Sequence, residues 1–308
     1  MEPAPVSRNR SLITVLVLLA LPVALVLAEG GTYYFANRSN GTIVSSGQER
    51  EYLLHVPRSY DAGRPTPLVI SMHGGAMWPA AQMATSQWNR VADAEGLIVV
   101  FPSGTVGDGP RHWNANRGPG AKTDVTFIAN LIDHLKASYN IDPARIYADG
   151  LSNGGGMAFV LSCELSGRIA AVGMVAAAHM LDWSSCRDPQ PVPMISFHGT
   201  ADPVTPYDGG TTWVAPQSFP AIPTWTADWA RRNRCDLQST ESVVTADVTQ
   251  LTYRDCAAGA DVTLYSITGG GHTWPGGGPM PEWFAGTTTR SIDATALMWA
   301  FFSQHPLR

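Results

Sequence analysis

The segment GLSNG at residues 150–154 holds a serine in a pattern that can present a nucleophile. Residues 145–148 before it predict a short strand, and the Ala/Leu-rich residues after it predict a helix, so Ser152 would lie in the tight turn between them. The flanking glycines avoid side-chain clashes in such a turn, and the N-terminus of the helix offers N–H groups to a developing oxyanion. We therefore predict Ser152 as the nucleophile of an acyl-transfer reaction. The alternative is an ordinary turn serine.

A nucleophilic serine needs a base to take its proton and a carboxylate to orient that base. His272 follows a predicted strand and three glycines, in a loop that can carry an imidazole over the edge of a sheet. Asp202 directly follows the predicted strand at residues 194–197, where α/β sheets bind ligands. The order serine, aspartate, histidine is that of α/β-hydrolases. The alternatives are a solvated loop histidine and an Asp-Pro turn residue, and Asp208 is the main competitor as the acid.

The segment MHGGA at residues 72–76 ends the first buried strand. Such a turn can aim the N–H of Gly75 or Ala76 at an oxyanion, beside the N–H of Asn153. We expect His73 to be structural, and the alternative for the whole segment is a strand-ending turn. Trp113 and Trp274 are candidates for lining the acyl or alcohol pocket, with packing in the core as the alternative.

Short apolar runs alternate with helical segments along the chain, which predicts an α/β fold with a mostly parallel sheet and helices on both faces. The predicted strands cover residues 51–56, 68–72, 97–101, 145–148, 169–176, 194–197 and 262–267. The predicted helices cover residues 87–95, a stretch from 124, a stretch ending at 163, and residues 224–233 and 291–304.

An uncharged run at residues 11–28 follows two arginines, which predicts export of the rest of the chain. It is either a signal peptide cleaved after residue 28 or an uncleaved membrane anchor. Residues 29–44 are polar and are expected to form a tether. We find no internal repeat, so residues 45–308 are predicted to form one catalytic domain.

Four cysteines agree with export, because an even number in an exported chain suggests disulfides. We favour the pairs that are neighbours in sequence, Cys163–Cys186 and Cys235–Cys256, among three connectivities. Buried free thiols are the alternative. No two cysteines have the spacing of metal ligands, so no metal site is expected.

Composition excludes several classes of protein. With 308 residues, 44% of them hydrophobic, the chain is neither a small disulfide-stapled scaffold nor a disordered protein. A net charge of −5 and the lack of a basic run exclude nucleic acid as an expected partner.

Seven segments resemble the exported polyhydroxybutyrate depolymerase and feruloyl/acetylxylan esterase family of the α/β-hydrolase superfamily, over about residues 40–305. They are REYLLHVP (50–57), MHGG (72–75), TDVTFI (123–128), DPARIY (142–147), GLSNGG (150–155), HGTADPVTPYDGG (198–210) and ITGGGHTWPGG (267–277). The last three match family motifs residue by residue, and they imply Ser152 as nucleophile, Asp202 as acid and His272 as base. The spacing of Cys235 and Cys256 resembles a family disulfide. The chain lacks the cysteine that many members carry after His-Gly, so further disulfides are not expected.

These observations predict an exported serine ester hydrolase that needs no metal or organic cofactor. The resemblance implies polyhydroxyalkanoate-type esters, or feruloyl and acetyl esters of polysaccharides, as substrates. An acyltransferase with the same acyl-enzyme and a decayed, anchored binding module are the alternatives. The catalytic domain would lie outside the cytoplasm, secreted, periplasmic, or attached to a membrane through residues 11–28.

Overall fold

The computed structural model describes residues 39–106, 109–116, 119–186, 190–212 and 215–307. The strands in these residues are β1 Gly41–Ser45, β2 Gln48–His55, β3 Thr66–Met72, β4 Ile98–Pro102, β5 Ile141–Leu151, β6 Ala171–Val175, β7 Met194–Gly199, β8 Gly210–Thr212, β9 Ala215–Phe219, β10 Thr240–Thr245, β11 Val248–Tyr253 and β12 Val262–Ile267. The helices are α1 Pro79–Ser86, α2 Trp88–Glu95, α3 Pro119–Ser138, α4 Asn153–Glu164, α5 Ile222–Arg232, α6 Glu282–Ala285 and α7 Ala294–Phe302.

The strands of the main sheet lie in the order β1-β2-β4-β3-β5-β6-β7-β12-β11-β10. The six strands from β4 to β12 in this order are parallel, whereas the outer strands on both sides pair antiparallel. The central strands are continuous apolar runs and are buried on both faces, as parallel strands generally are. Their carboxyl ends therefore meet at one edge of the sheet.

Helices cover both faces of this sheet. On one face, α3 contributes the predicted apolar stripe of Phe127, Ile128, Leu131, Ile132 and Leu135, all buried in a core that also includes residues of α4 and α5. On the other face, Trp88 of α2 stacks on Phe302 of α7, with ring centroids 6.1 Å apart. The predicted α/β architecture is confirmed.

The N-terminal boundary differs from the prediction. Residues 41–44 of the expected tether belong to β1, which pairs antiparallel with β2. Outer strand β10 is largely exposed and outer strand β1 alternates between half-buried and exposed residues, so neither carries the apolar run that marks a buried strand. The predicted signal peptide or anchor at residues 11–28 lies outside the described residues. In the described part of the chain, no helix has the length and apolar character of a membrane span.

Both predicted disulfides are present. The Cys163–Cys186 disulfide links the end of α4 to the segment after β6, and Cys235–Cys256 links the segment after α5 to the one after β11. The first disulfide therefore restrains the segment that follows β6. This segment begins at the carboxyl edge of the sheet, where Ala178 N–H donates to Ser152 O.

Candidate active site

Ser152 lies in the sharp turn between β5 and α4, with φ 53° and ψ −118°. This backbone conformation is sparsely populated by residues with a side chain and costs about 1–3 kcal/mol. The surrounding backbone holds it in place, because Ser152 N–H donates to Val175 O (2.8 Å) and Ala178 N–H donates to Ser152 O (2.9 Å). The turn presents the serine at the carboxyl edge of the sheet, as predicted from the strand-turn-helix pattern.

Close backbone contacts explain the glycines that flank this serine. A Cβ atom on Gly150 would lie 2.3 Å from the carbonyl carbon of Gly154. A Cβ atom on Gly154 would lie 2.3 Å from the carbonyl oxygen of Met72, at the end of β3. Glycine at positions 150 and 154 therefore allows the N-terminus of α4 to pack closely against the ends of β3 and β5.

Asp202 and His272 come from neighbouring parallel strands. Asp202 follows β7, His272 follows β12, and the last paired residues of these strands are Gly199 and Ile267. Nδ1 of His272 lies 2.8 Å from Oδ2 of Asp202, and both side chains are buried. Since a carboxylate accepts, the proton of the neutral imidazole is on Nδ1 and Nε2 is free to act as a base.

The 202–205 turn surrounds the Asp202 carboxylate with donors. Oδ1 accepts the backbone N–H groups of Val204 and Thr205 at 2.8 Å each, and Oδ2 accepts the Thr205 hydroxyl at 2.9 Å. Burial on its own would raise the pKa of Asp202, but His272 and His198 beside it hold this pKa well below its usual value. Asp202 is therefore ionised throughout the neutral range. Asp208, the competing acid, is exposed and lies further along this loop.

Thr205 and His198 are two residues of the site that the sequence did not single out. Nε2 of His198 lies 2.8 Å from Thr205 O and 3.4 Å from Oδ2 of Asp202. Because both oxygens only accept, Nε2 carries the proton. The Thr205 hydroxyl also lies 3.2 Å from Ala176 O, next to the residue that accepts the Ser152 N–H. Backbone carbonyls at the end of β6 thus contact both the turn that holds Ser152 and the turn that holds Asp202. The sequence could have indicated Thr205, because an Asp followed three residues later by a Thr is typical of a turn that the Asp side chain caps.

The Gly-Gly turn after β3 lies against the serine. A Cβ atom on Gly74 would be 3.5 Å from Cβ of Ser152, and one on Gly75 would be 3.9 Å from Cβ of Asn153. Two donors were predicted in this turn, Gly75 and Ala76. The prediction for Ala76 is wrong, because its N–H already donates to Arg111 O at 2.7 Å and does not face an oxyanion. The N–H groups of Gly75 and Asn153 remain as the candidate oxyanion donors.

Side-chain hydrogen bonds fix this turn and the start of α4. Asn153 accepts the Trp113 N–H at 2.6 Å and donates to Trp113 O at 3.0 Å. His73 is buried, with Nδ1 2.7 Å from Gly74 O and Nε2 accepting the Gly104 N–H at 2.9 Å. Burial lowers the pKa of His73 to about 4, so the ring is neutral and structural, as expected.

The two tryptophans predicted to line a pocket are both completely buried. The indole N–H of Trp113 donates to His73 O at 3.1 Å, and that of Trp274 donates to the Thr295 hydroxyl at 2.9 Å. These bonds point the polar end of each ring into the protein. The structure therefore favours the packing alternative for both residues, since neither offers a surface to a substrate.

Comparisons with known proteins relate this chain to esterases. Residues 43–274 match the family model Esterase, described as "Putative esterase". Feruloyl esterase B of Piromyces equi is 32% identical over 230 residues, which cover 72% of this chain and 42% of that protein. Esterase NocK of Nocardia uniformis, itself described as putative, is 33% identical over 277 residues, 81% of this chain and 78% of that protein.

Among solved structures, the acetyl xylan esterase from Aspergillus awamori has a TM-score of 0.53 at 17% identity, covering 73% of this chain and 89% of that one. This likeness extends to the fold, which is the predicted α/β-hydrolase fold. With the match of the family model over most of its length, the chain belongs to the Esterase family.

Proposed function

We propose that this chain hydrolyses carboxylic esters, with Ser152 as nucleophile, His272 as general base and Asp202 as the orienting acid. The observation that carries the proposal is the strained serine turn at the same sheet edge as the hydrogen-bonded His272–Asp202 pair. Membership of the Esterase family supports the reaction class. The chain spans less than half the length of the Piromyces feruloyl esterase, so the substrates named for such relatives are part of the proposal.

In the acylation step, the Ser152 hydroxyl attacks the ester carbonyl carbon while Nε2 of His272 takes its proton. The imidazolium that forms keeps its Nδ1–H on Asp202, whose carboxylate is ionised and already held by three donors from its own turn. The carboxylate therefore needs no rearrangement when the positive charge appears. Collapse of the tetrahedral intermediate breaks the bond to the alkoxy oxygen, which leaves with the proton from His272.

The negative charge of the tetrahedral intermediate develops on the former carbonyl oxygen. The N–H groups of Gly75 and Asn153 stabilise it, and the Trp113 backbone holds Asn153 at the start of α4. In deacylation, His272 takes a proton from water as the water oxygen attacks the acyl carbon. The intermediate then collapses, the bond to the Ser152 oxygen breaks, and His272 returns the proton to that oxygen as the acid leaves.

The substrates proposed are esters outside the cytoplasm. Two disulfides favour an oxidising compartment, in agreement with the export predicted from residues 11–28. Relatives are named feruloyl esterase and acetylxylan esterase, which makes feruloyl and acetyl esters of polysaccharides the first compounds to test, with polyhydroxyalkanoates as the other class.

A serine-directed phosphonate provides the decisive test. The wild-type protein should hydrolyse p-nitrophenyl acetate and butyrate, lose activity with the phosphonate, and carry one adduct on the peptide that contains Ser152. The Ser152→Ala variant should fold, take no adduct and lose several orders of magnitude in kcat. Hydrolysis at a near-wild-type rate by folded Ser152→Ala protein would refute the nucleophile assignment.

A further inference from the structure

Trp283 on α6 is 88% exposed to solvent. Tryptophan is usually well buried because its indole ring carries a large apolar area. This holds for several other tryptophans of the chain, since Trp88, Trp113, Trp229 and Trp274 are completely buried. Leaving one indole almost fully in water therefore marks α6 as a candidate contact surface.

Helix α6 is attached directly to the loop of the predicted base. His272 N–H donates to Ala285 O at 2.6 Å, and Gly271 N–H donates to Thr287 O at 2.9 Å. The two segments approach so closely that a Cβ atom on Gly271 would lie 2.1 Å from Ala285 O. Trp283 precedes Ala285 by two residues, so the short helix that carries it is tied by these backbone bonds to the loop of His272.

Polar residues lie close to Trp283 in the chain. Glu282 and Thr287 are both exposed, and the Thr287 hydroxyl lies 3.3 Å from the Glu282 carboxylate. The ring of Phe284 lies 5.9 Å from the indole at an interplanar angle of 65°. Most of the indole surface is nevertheless open to solvent, since Trp283 is 88% exposed. An apolar face with a carboxylate and a hydroxyl beside it fits a sugar ring, which presents C–H groups on its faces and hydroxyls at its rim.

The same surroundings argue against an apolar polymer as the occupant. A polyester surface would favour a continuous apolar patch, whereas contact with one would remove water from the exposed Glu282 carboxylate, and the Thr287 hydroxyl replaces only one of the lost hydrogen bonds. Among the described residues, the other large exposed hydrophobic side chains include Val44 on β1 and Val243 on β10, both on outer strands rather than on α6.

We propose that Trp283, together with Glu282 and Thr287, binds a sugar ring in the alcohol part of a carbohydrate ester. This subsite rests on the proposed function, and it adds to it a surface that recognises the carbohydrate rather than the acyl group. The contact lies outside the reacting atoms, so it should strengthen binding of polysaccharide esters without changing the chemistry of small ones.

Kinetics on two substrates test the proposal. The substrates are acetylated xylan and ethyl acetate, both followed by pH-stat, because ethyl acetate has no ring that can stack on an indole. Trp283→Ala should raise KM for acetylated xylan by about 3- to 10-fold with kcat nearly unchanged, the size expected from one lost stacking contact. It should leave ethyl acetate hydrolysis unchanged. Trp283→Phe should restore part of the loss, and Val44→Ala, at the far end of the sheet, should match the wild type.

A binding measurement separates this subsite from the reaction itself. In the inactive Ser152→Ala background, native gels containing unacetylated xylan should retard the protein, and adding Trp283→Ala should remove the retardation. If the wild-type protein hydrolyses neither ester, the proposed function fails while these gels still decide the subsite. Equal retardation with and without the indole, or an unchanged KM for acetylated xylan, would overturn the proposal. The proposal would also be overturned if Trp283→Ala abolished adsorption to a polyhydroxybutyrate film but left xylan binding intact, because the indole would then contact a polyester surface instead.

Discussion

Asp149 provides the sharpest test of the energetics of this core. It lies on β5, three residues before Ser152, and is completely buried. The Ser71 hydroxyl donates to its Oδ1 at 2.7 Å, and Gln82 in turn donates to the Ser71 oxygen at 3.0 Å. Burial raises the pKa of Asp149 from 3.8 to about 8, against the opposing effect of the Ser71 hydrogen bond. At neutral pH the folded protein therefore keeps a proton that the unfolded chain has lost.

This difference fixes the sign and size of a pH effect. A group whose pKa is raised by folding contributes its full stability below the unfolded pKa, here 3.8, and loses it as pH rises toward about 8. Within this window the free energy of unfolding falls by about 1.4 kcal/mol for each pH unit. Between pH 5 and pH 8 the contribution of Asp149 should fall by roughly 4 kcal/mol. Asp149→Asn keeps the shape of the side chain and removes this titration.

Urea unfolding of the wild type and Asp149→Asn, with disulfides intact, measures the effect at pH 5, 6, 7 and 8. The difference in free energy of unfolding between the two proteins cancels the other titrating groups, and it should shift steadily in favour of the variant as pH rises. Asp142→Asn is the control. Its carboxylate bonds Arg145 at 2.6 Å, and although burial opposes the effect, these bonds lower its pKa, so its difference should be flat over this range. A flat difference for Asp149→Asn as well would refute the reasoning.

Three further predictions follow from the site and the disulfides. Asp202→Asn should lower kcat by about 10⁴-fold, because a carboxamide favours the wrong tautomer of His272, whereas Asp208→Asn should change it little; the reverse result in steady-state assays would move the acid to Asp208. Thr205→Val should lower kcat/KM by about 10-fold through the lost hydrogen bond to the carboxylate, and Thr205→Ser should keep most of the activity; equal rates for both variants would show that the hydroxyl is dispensable. The two disulfides span 23 and 21 residues, and reducing either one should lower the free energy of unfolding by about 3 kcal/mol; an unchanged urea midpoint after reduction would contradict this.

The sequence was informative where local pattern and tertiary environment agree. The apolar runs of β3 and β4 are buried along their whole length, so they stood out as strands. The serine turn carried its own signal, because the contacts of Gly150 and Gly154 demand residues without side chains. Outer strand β10 is exposed along most of its length, and its residues gave no comparable signal.

The errors arose from contacts between distant segments. Whether Ala76 can serve as an oxyanion donor depends on Arg111, which lies on a separate loop and whose carbonyl oxygen accepts the Ala76 N–H. The burial of Trp113 and Trp274 likewise follows from partners at the end of β3 and on α7, namely the His73 carbonyl and the Thr295 hydroxyl. No spacing rule within a single segment reports on such partners.

The pairing of β7 with β12 has a consequence for how activity develops in time. These strands are adjacent in the sheet but far apart in the chain, and β10 and β11 come between them in sequence. Until β12 inserts beside β7, His272 has no fixed place next to Asp202, although β3 to β7 are already synthesised. A loop of this length makes closure a late event. During refolding, we therefore expect helical circular dichroism to recover before ester hydrolysis, so that enzymatic activity reports the final step of folding rather than the collapse of the core.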